Sequence, residues 1–309
     1  MRICTALLLA AIAEGAPIEG GARFGGGAIA HWGDGVRLSG RLIAQGRFAQ
    51  GGCAADWNGD GAEDLIVQRV GAEGRRMVAL LAPEWREELI DTDASFRDCL
   101  AATLHGRAGV LVTHRQMQVR FYERGRGYRE LYSIYTASAQ SGLLLADLDG
   151  DGREDLLHGD YWLRAPASFE LPWRLFALQT WFDAPRGAMV RIALAKRRGG
   201  EVVVEAESEA SPARFSWFER PEDIEQLWAE HRIAAAAGLR RPQALAAEGE
   251  WVLAGEDAGA GSRLIAVNLE TGEARVAARS KGFLEVWMEP EGRATALTRS
   301  GVRRYRWRR

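Results

Sequence analysis

The sequence predicts an all-β fold, a β-propeller of four-stranded blades with seven blades favoured. Paired apolar runs flanking a short loop recur at a period of about 45 residues along the 309-residue chain. Glycine is plentiful, at 36 residues against 9 prolines, which suits many tight turns between short strands. Amphipathic helical stretches are nearly absent, the best being the short segment Arg232 to Gly238, so a mixed α/β architecture lacks its helices. The chain therefore reads as one domain over residues 1–309.

In chain order, residues 1–13 admit two readings. Arg2 precedes an apolar stretch from Ala6 that ends in Ala11-Ile12-Ala13, the small-residue pattern of a signal cleavage site. Alternatively Leu7 to Ala11 form a first strand at repeat phase, and cleavage would then leave six blades, with residues 28–43 pairing against the carboxy-terminal strand. The clearest repeats are CAADWNGDGAEDLIVQ from Cys53 and LLADLDGDGREDLLHG from Leu144. Weaker copies start at Leu100, Arg191, Ala244 and Glu285. Aromatic-rich third strands are expected from Ala28, Val119, Asp160 and Arg214, and fourth strands from Trp85, Tyr128, Trp173 and Ile224.

Composition excludes several function classes. A formal net charge of -2 gives no basic field for nucleic acid, and no apolar run reaches the ~18 residues of a membrane-spanning helix. Cys4, Cys53 and Cys99 have no zinc-ligand spacing. Cys53 and Cys99 fall on neighbouring strands and would be available to pair on export, but two inert buried thiols is the reading adopted.

The chemistry concentrates in two loops. In DWNGDGAED, the side chains of Asp56, Asn58, Asp60 and Asp64 and the carbonyl of Ala62 occupy alternate positions, and DLDGDGRED repeats this with Asp147, Asp149, Asp151, Asp155 and the carbonyl of Arg153. Alternate groups of a tightly curled loop converge, and packed carboxylates repel unless a cation neutralises them. Many hard oxygen ligands suit Ca²⁺ better than Mg²⁺ or zinc, so two calcium sites are expected. An EF-hand is excluded, because its twelfth position should be a bidentate glutamate and here holds Val67 or His158 in β-rich runs.

These loops, at repeat phase, resemble the FG-GAP/VCBS repeat family, the propellers of the integrin α head and of many secreted bacterial proteins. The resemblance implies calcium held in the loop of a blade, on the ten residues just named and no others. Only two loops are intact, and the family's Gly-Ala-Pro element survives as Leu81-Ala82-Pro83 and Arg164-Ala165-Pro166.

There is no HExxH, GxSxG or GxxxxGK motif, and Gly25 to Ala30 fit GxGxxA without a following helix. No catalytic residue is assigned. Most of the 11 tryptophans, among them Trp85, Trp162, Trp173, Trp217 and Trp228, sit at repeat phase and are expected to pack between blades. The expected function is that of a calcium-stabilised extracytoplasmic module, secreted, periplasmic or on the cell surface, that binds or adheres to a protein or glycan. The alternative is a carbohydrate-active hydrolase or lyase on the same scaffold.

Overall fold

The structure is a computed structural model that describes residues 17–133, 140–179, 189–236 and 238–308. Its strands form antiparallel sheets in sequence order. Strands β1 (Gly20–Arg23), β2 (Ile29–Leu38) and the first half of β3 (Arg41–Ala55) make one unit. The second half of β3 opens the next, with β4 (Asp64–Gly71), β5 (Gly74–Leu81) and β6 (Arg86–Asp91). Four-stranded sheets follow: β7 (Phe96–Leu104) to β10 (Gly127–Ser133) through β8 (Arg107–His114) and β9 (Gln118–Glu123), then β11 (Leu143–Ala146), β12 (Asp155–His158), β13 (Tyr161–Arg164) and β14 (Arg174–Ala177). The next two are β15 (Val190–Arg197), β16 (Gly200–Glu207), β17 (Phe215–Glu219) and β18 (Ala229–Arg232), and β19 (Pro242–Glu248), β20 (Trp251–Glu256), β21 (Ser262–Asn268) and β22 (Ala274–Ser280). A three-stranded sheet of β23 (Phe283–Glu289), β24 (Arg293–Thr298) and β25 (Gly301–Arg306) ends the chain.

The first strands of successive units lie side by side: β1 against β3, β3 against β7, β7 against β11, β11 against β15, β15 against β19, β19 against β23, and β23 against β1. That closed ring is a β-propeller, and among the described residues its inner strands are consistent with seven blades. Arg299 spans the seam by donating to the Ile18 carbonyl at 2.7 Å, and Arg23 meets Glu289 at 3.4 Å. Closure leaves no inner edge free to pair with another chain.

Alternation along the strands explains the stacking. On β5, Met77, Ala79 and Leu81 enter one apolar cluster with Val110 and Val112 of β8, while Val78 and Leu80 enter another with Trp32 and Phe48. On β20, Val252 and Ala254 face β16, while Trp251 and Leu253 face β24. Side chains of period 2 point to opposite faces, so a strand apolar at consecutive positions is buried on both faces between neighbouring blades. Among the tryptophans placed at repeat phase, Trp162, Trp173 and Trp228 are buried, and Trp85 and Trp217 pack partly buried against blade cores.

Four expectations need correction or limiting. The segment from Ala28 is the second strand of its unit rather than the third, because β3 is long enough to end one blade and begin the next. Residues 29–38 pair with β1 and β3, not with the carboxy-terminal strand. Cys53 and Cys99 are joined in a disulfide, with a Cα–Cα distance of 5.3 Å, so they are not separate thiols. The first-strand and signal readings of residues 1–13 lie outside the described residues.

Candidate functional site

Both acidic loops link the inner strand of a blade to its second strand, β3 to β4 and β11 to β12. Each curls because its two glycines adopt left-handed backbone, with φ of +75° and +88° at Gly59 and Gly61 and +78° and +85° at Gly150 and Gly152. In the first loop, Asp56 Oδ1 accepts from the Gly59 and Asp60 N–H groups at 2.8 and 3.1 Å, and Oδ2 from Gly61 at 3.0 Å. Asn58 Oδ1 accepts from Asp60 N–H at 2.8 Å, while its amide donates to Asp60 Oδ2 at 2.7 Å. Asp60 Oδ1 accepts from Ala62 N–H at 2.8 Å. That bond and the Asn58 amide hold the Asp60 carboxyl below the usual aspartate range.

The second loop repeats the pattern. Asp147 accepts from Gly150 and Gly152 at 2.8 and 3.0 Å, Asp149 from Asp151 at 3.1 Å, and Asp151 from the Arg153 N–H at 2.9 Å. Asp147, Asp149 and Asp151 each offer a carboxylate oxygen, and these lie within 4.8 Å of one another. Opposite ligands of Ca²⁺ at 2.3–2.6 Å stand ~5 Å apart, so this oxygen triplet has the span such an ion needs. Arginines offset the charge: Arg164 Nε sits 2.8 Å from Asp149 Oδ2, and the Arg153 guanidinium pairs with Asp151.

Asp64 and Asp155 are brought to the ends of the two loops, where their carboxylates also accept backbone N–H groups. Asp64 Oδ2 accepts from Trp57 and Asn58 N–H at 3.0 and 3.2 Å, and Oδ1 from Ala82 at 2.8 Å. Asp155 accepts from Leu148 at 3.2 Å and from Ala165 at 2.7 Å. Both are fully buried, and burial pushes Asp155 up to about 6. Each clasps its loop to the Ala-Pro segment after the third strand of its own blade, at Leu81-Ala82-Pro83 and at Arg164-Ala165-Pro166.

Sequence reasoning missed the residues around the propeller axis. Arg97, Arg191 and Gln243 are each the second residue of an inner strand, and Glu285 is the third. Arg191 donates to Asp98 Oδ1 at 2.8 Å, Arg97 donates to Glu209 at 2.6 Å and also to Gln243, and burial pushes Glu285 up to about 7. A polar residue near the start of four inner strands, β7, β15, β19 and β23, was the available signal. A second missed group, Asp160, Glu205, Glu207 and Arg214, lines a cavity of about 10 Å³, room for roughly one water. Burial pushes Asp160 up to about 6 and Glu205 well above the carboxylate range, the neighbouring carboxylates adding to both shifts.

No protein-family model and no curated protein matches the sequence. Solved structures do match in shape. YCF48 from Cyanidioschyzon merolae is 11% identical with a TM-score of 0.59, covering 94% of this chain and 95% of that one. YCF48 bound to D1 peptide aligns with a TM-score of 0.58 at 12% identity over 95% and 92%. Streptogramin B lyase aligns with a TM-score of 0.62 at 11% identity over 94% and 93%. The extracellular domain of BT4673 from B. thetaiotaomicron gives 0.61 at 12% identity, over 95% of this chain and 38% of that one. At such identities the likeness establishes the propeller fold and nothing finer. Among the described residues, no helix is long and apolar enough to cross a membrane.

Proposed function

We propose that the protein is a calcium-stabilised extracytoplasmic propeller of the FG-GAP/VCBS type that acts as a binding module. The observation that carries the reading is the converging oxygen triplet of Asp147, Asp149 and Asp151, matched in the first loop by Asp56, Asn58 and Asp60. A cation there would neutralise three crowded carboxylates and tie an inner strand to its neighbour. The Cys53–Cys99 disulfide supports an oxidising compartment. Shape neighbours include both a peptide-bound propeller and a lyase, so fold does not choose between binding and catalysis. Binding is preferred because the buried Asp160–Glu205 acid pair, the best candidate for acid–base work, faces a cavity too small for a sugar.

Thermal melts with calcium and with chelator test this. At a free ion concentration ~100-fold above the dissociation constant, each site should add about 2.7 kcal/mol. The second loop supplies four carboxylates against three in the first, so Asp151→Ala should remove more calcium-dependent stability than Asp60→Ala. Equal melting temperatures with calcium and with chelator would overturn the metal assignment.

A further inference from the structure

On the rim opposite the acidic loops, between the starts of the inner halves of β3 and β7, lies a pocket of about 380 Å³. The pocket and the first acidic loop stand at opposite ends of one strand, since β3 runs from Arg47 at the pocket to Ala55 at the loop. Arg47 and Arg75 at the pocket rim are exposed, and among the described residues neither guanidinium has a side-chain partner. The side chains of Gln50, Ser95 and Gln116, which also line it, are likewise uncommitted. Arg97 forms part of the floor, its charge shared with Glu209. The one carboxylate in the lining, Glu19, already leans towards Arg299 at 4.0 Å. Three arginines against one engaged glutamate make a local positive field on a chain whose formal net charge is -2.

We propose that this pocket binds a carboxylate of an acidic peptide, with Arg47 and Arg75 as the fork donors and the uncommitted amides and hydroxyl meeting the peptide backbone. Free guanidinium groups favour planar, bidentate acceptors. A sugar is disfavoured because the pocket offers no open aromatic face: Phe48 and Phe96 are buried, and Arg69 already covers Phe48 with its guanidinium carbon 4.7 Å from the ring centre. The walls are held in place before any ligand arrives. The Cys53–Cys99 disulfide ties β3 to β7, and the buried Gln68 amide donates to the Gln50 and Phe96 carbonyls while accepting from Phe96 N–H at 3.0 Å. Walls fixed in this way reduce the ordering cost of binding.

The proposal rests on the binding-module reading, and one experiment separates their failures. Fluorescein-labelled Glu-Gly-Glu-Gly-Glu and its Gln-Gly-Gln-Gly-Gln counterpart are titrated by fluorescence anisotropy against the full chain, and the recovered peptide is weighed by mass spectrometry. The glutamate peptide should bind, the glutamine peptide should bind at least tenfold more weakly, and Arg47→Gln and Arg75→Gln should each cost about tenfold. Arg198→Gln on the opposite rim, with its side chain 94% exposed, should leave binding unchanged. No binding, or equal affinity for the double Arg47→Gln/Arg75→Gln variant, overturns the pocket and leaves the module reading standing. A cleaved peptide overturns the module reading itself.

Discussion

Breaking the Cys53–Cys99 bond should loosen the contact between two successive blades without altering any other group. The bond closes a loop of sequence separation 46. In the chain-entropy account, a loop of that length restrains the unfolded chain by about 4 kcal/mol at 25 °C. With an unfolding entropy of roughly 2.1 cal/mol/K per residue, a chain of this size should lose about 6 °C in melting temperature. The assay is differential scanning calorimetry of the oxidised protein and of the protein reduced under native conditions, with thiol titration to establish each redox state. The Cys53→Ala/Cys99→Ala variant serves as control, since its melting temperature should not respond to reductant. If the oxidised and reduced proteins melt together, with the bond shown to be formed in one and absent in the other, the inter-blade link carries no stability and the reasoning fails.

Two further outcomes follow from burial. Asp160, facing Glu205, Glu207, Glu230, Arg214 and Gln179, is raised by burial from 3.8 to about 6, so the folded state keeps a proton that the unfolded chain releases. Stability from this group is full below pH ~4 and falls as pH rises to ~6, by roughly 3 kcal/mol; Asp160→Asn should flatten that slope in melts taken across the range, and an unchanged slope would count against it. At Gly52, an added Cβ would lie 2.6 Å from the Ile66 carbonyl and 2.8 Å from the Trp32 ring, so Gly52→Ala should cost about 1–3 kcal/mol in chemical denaturation, and a neutral result would mean that β3 is not pressed against Trp32 as described.

The repeats were legible because the inner and second strands of a blade form a local hairpin. The pairs β7–β8, β15–β16, β19–β20 and β23–β24 coincide with the segments from Leu100, Arg191, Ala244 and Glu285. The acidic loops were legible for the same reason, their side chains lying within nine consecutive residues. The first blade was misphased because β3 carries 15 residues from one blade into the next without a loop: its Gly46, Gly51 and Gly52 mark irregularities inside one strand, with a register shift between Ala49 and Gly52, rather than a turn between two strands. The axial and pocket residues left no local pattern. Arg47, Arg75 and Arg97 stand on separate strands, and only ring closure brings inner-strand starts such as Arg97, Arg191, Gln243 and Glu285 around one axis. The arginine-rich composition also hid them, since the basic residues are spread through the whole chain.

The strand that misled the phase also joins the two regions proposed as functional. β3 presents Arg47 at one rim, carries Cys53 in its inner half, and hands the chain to Asp56 at the other rim. Its inner half is held by the β4 ladder, by the disulfide to β7 and by the Gln68 amide, so it has little freedom to move relative to either neighbour. A side chain borne on a strand held from both sides keeps its position better than one on a loop. Calcium bound at the Asp56 loop would secure the far end of this same element, and a metal there would then bear on the pocket without touching it. Such coupling would run through the rigidity of β3 rather than through contact. It would act on the position of β3 rather than on the contacts that Arg47 and Arg75 make.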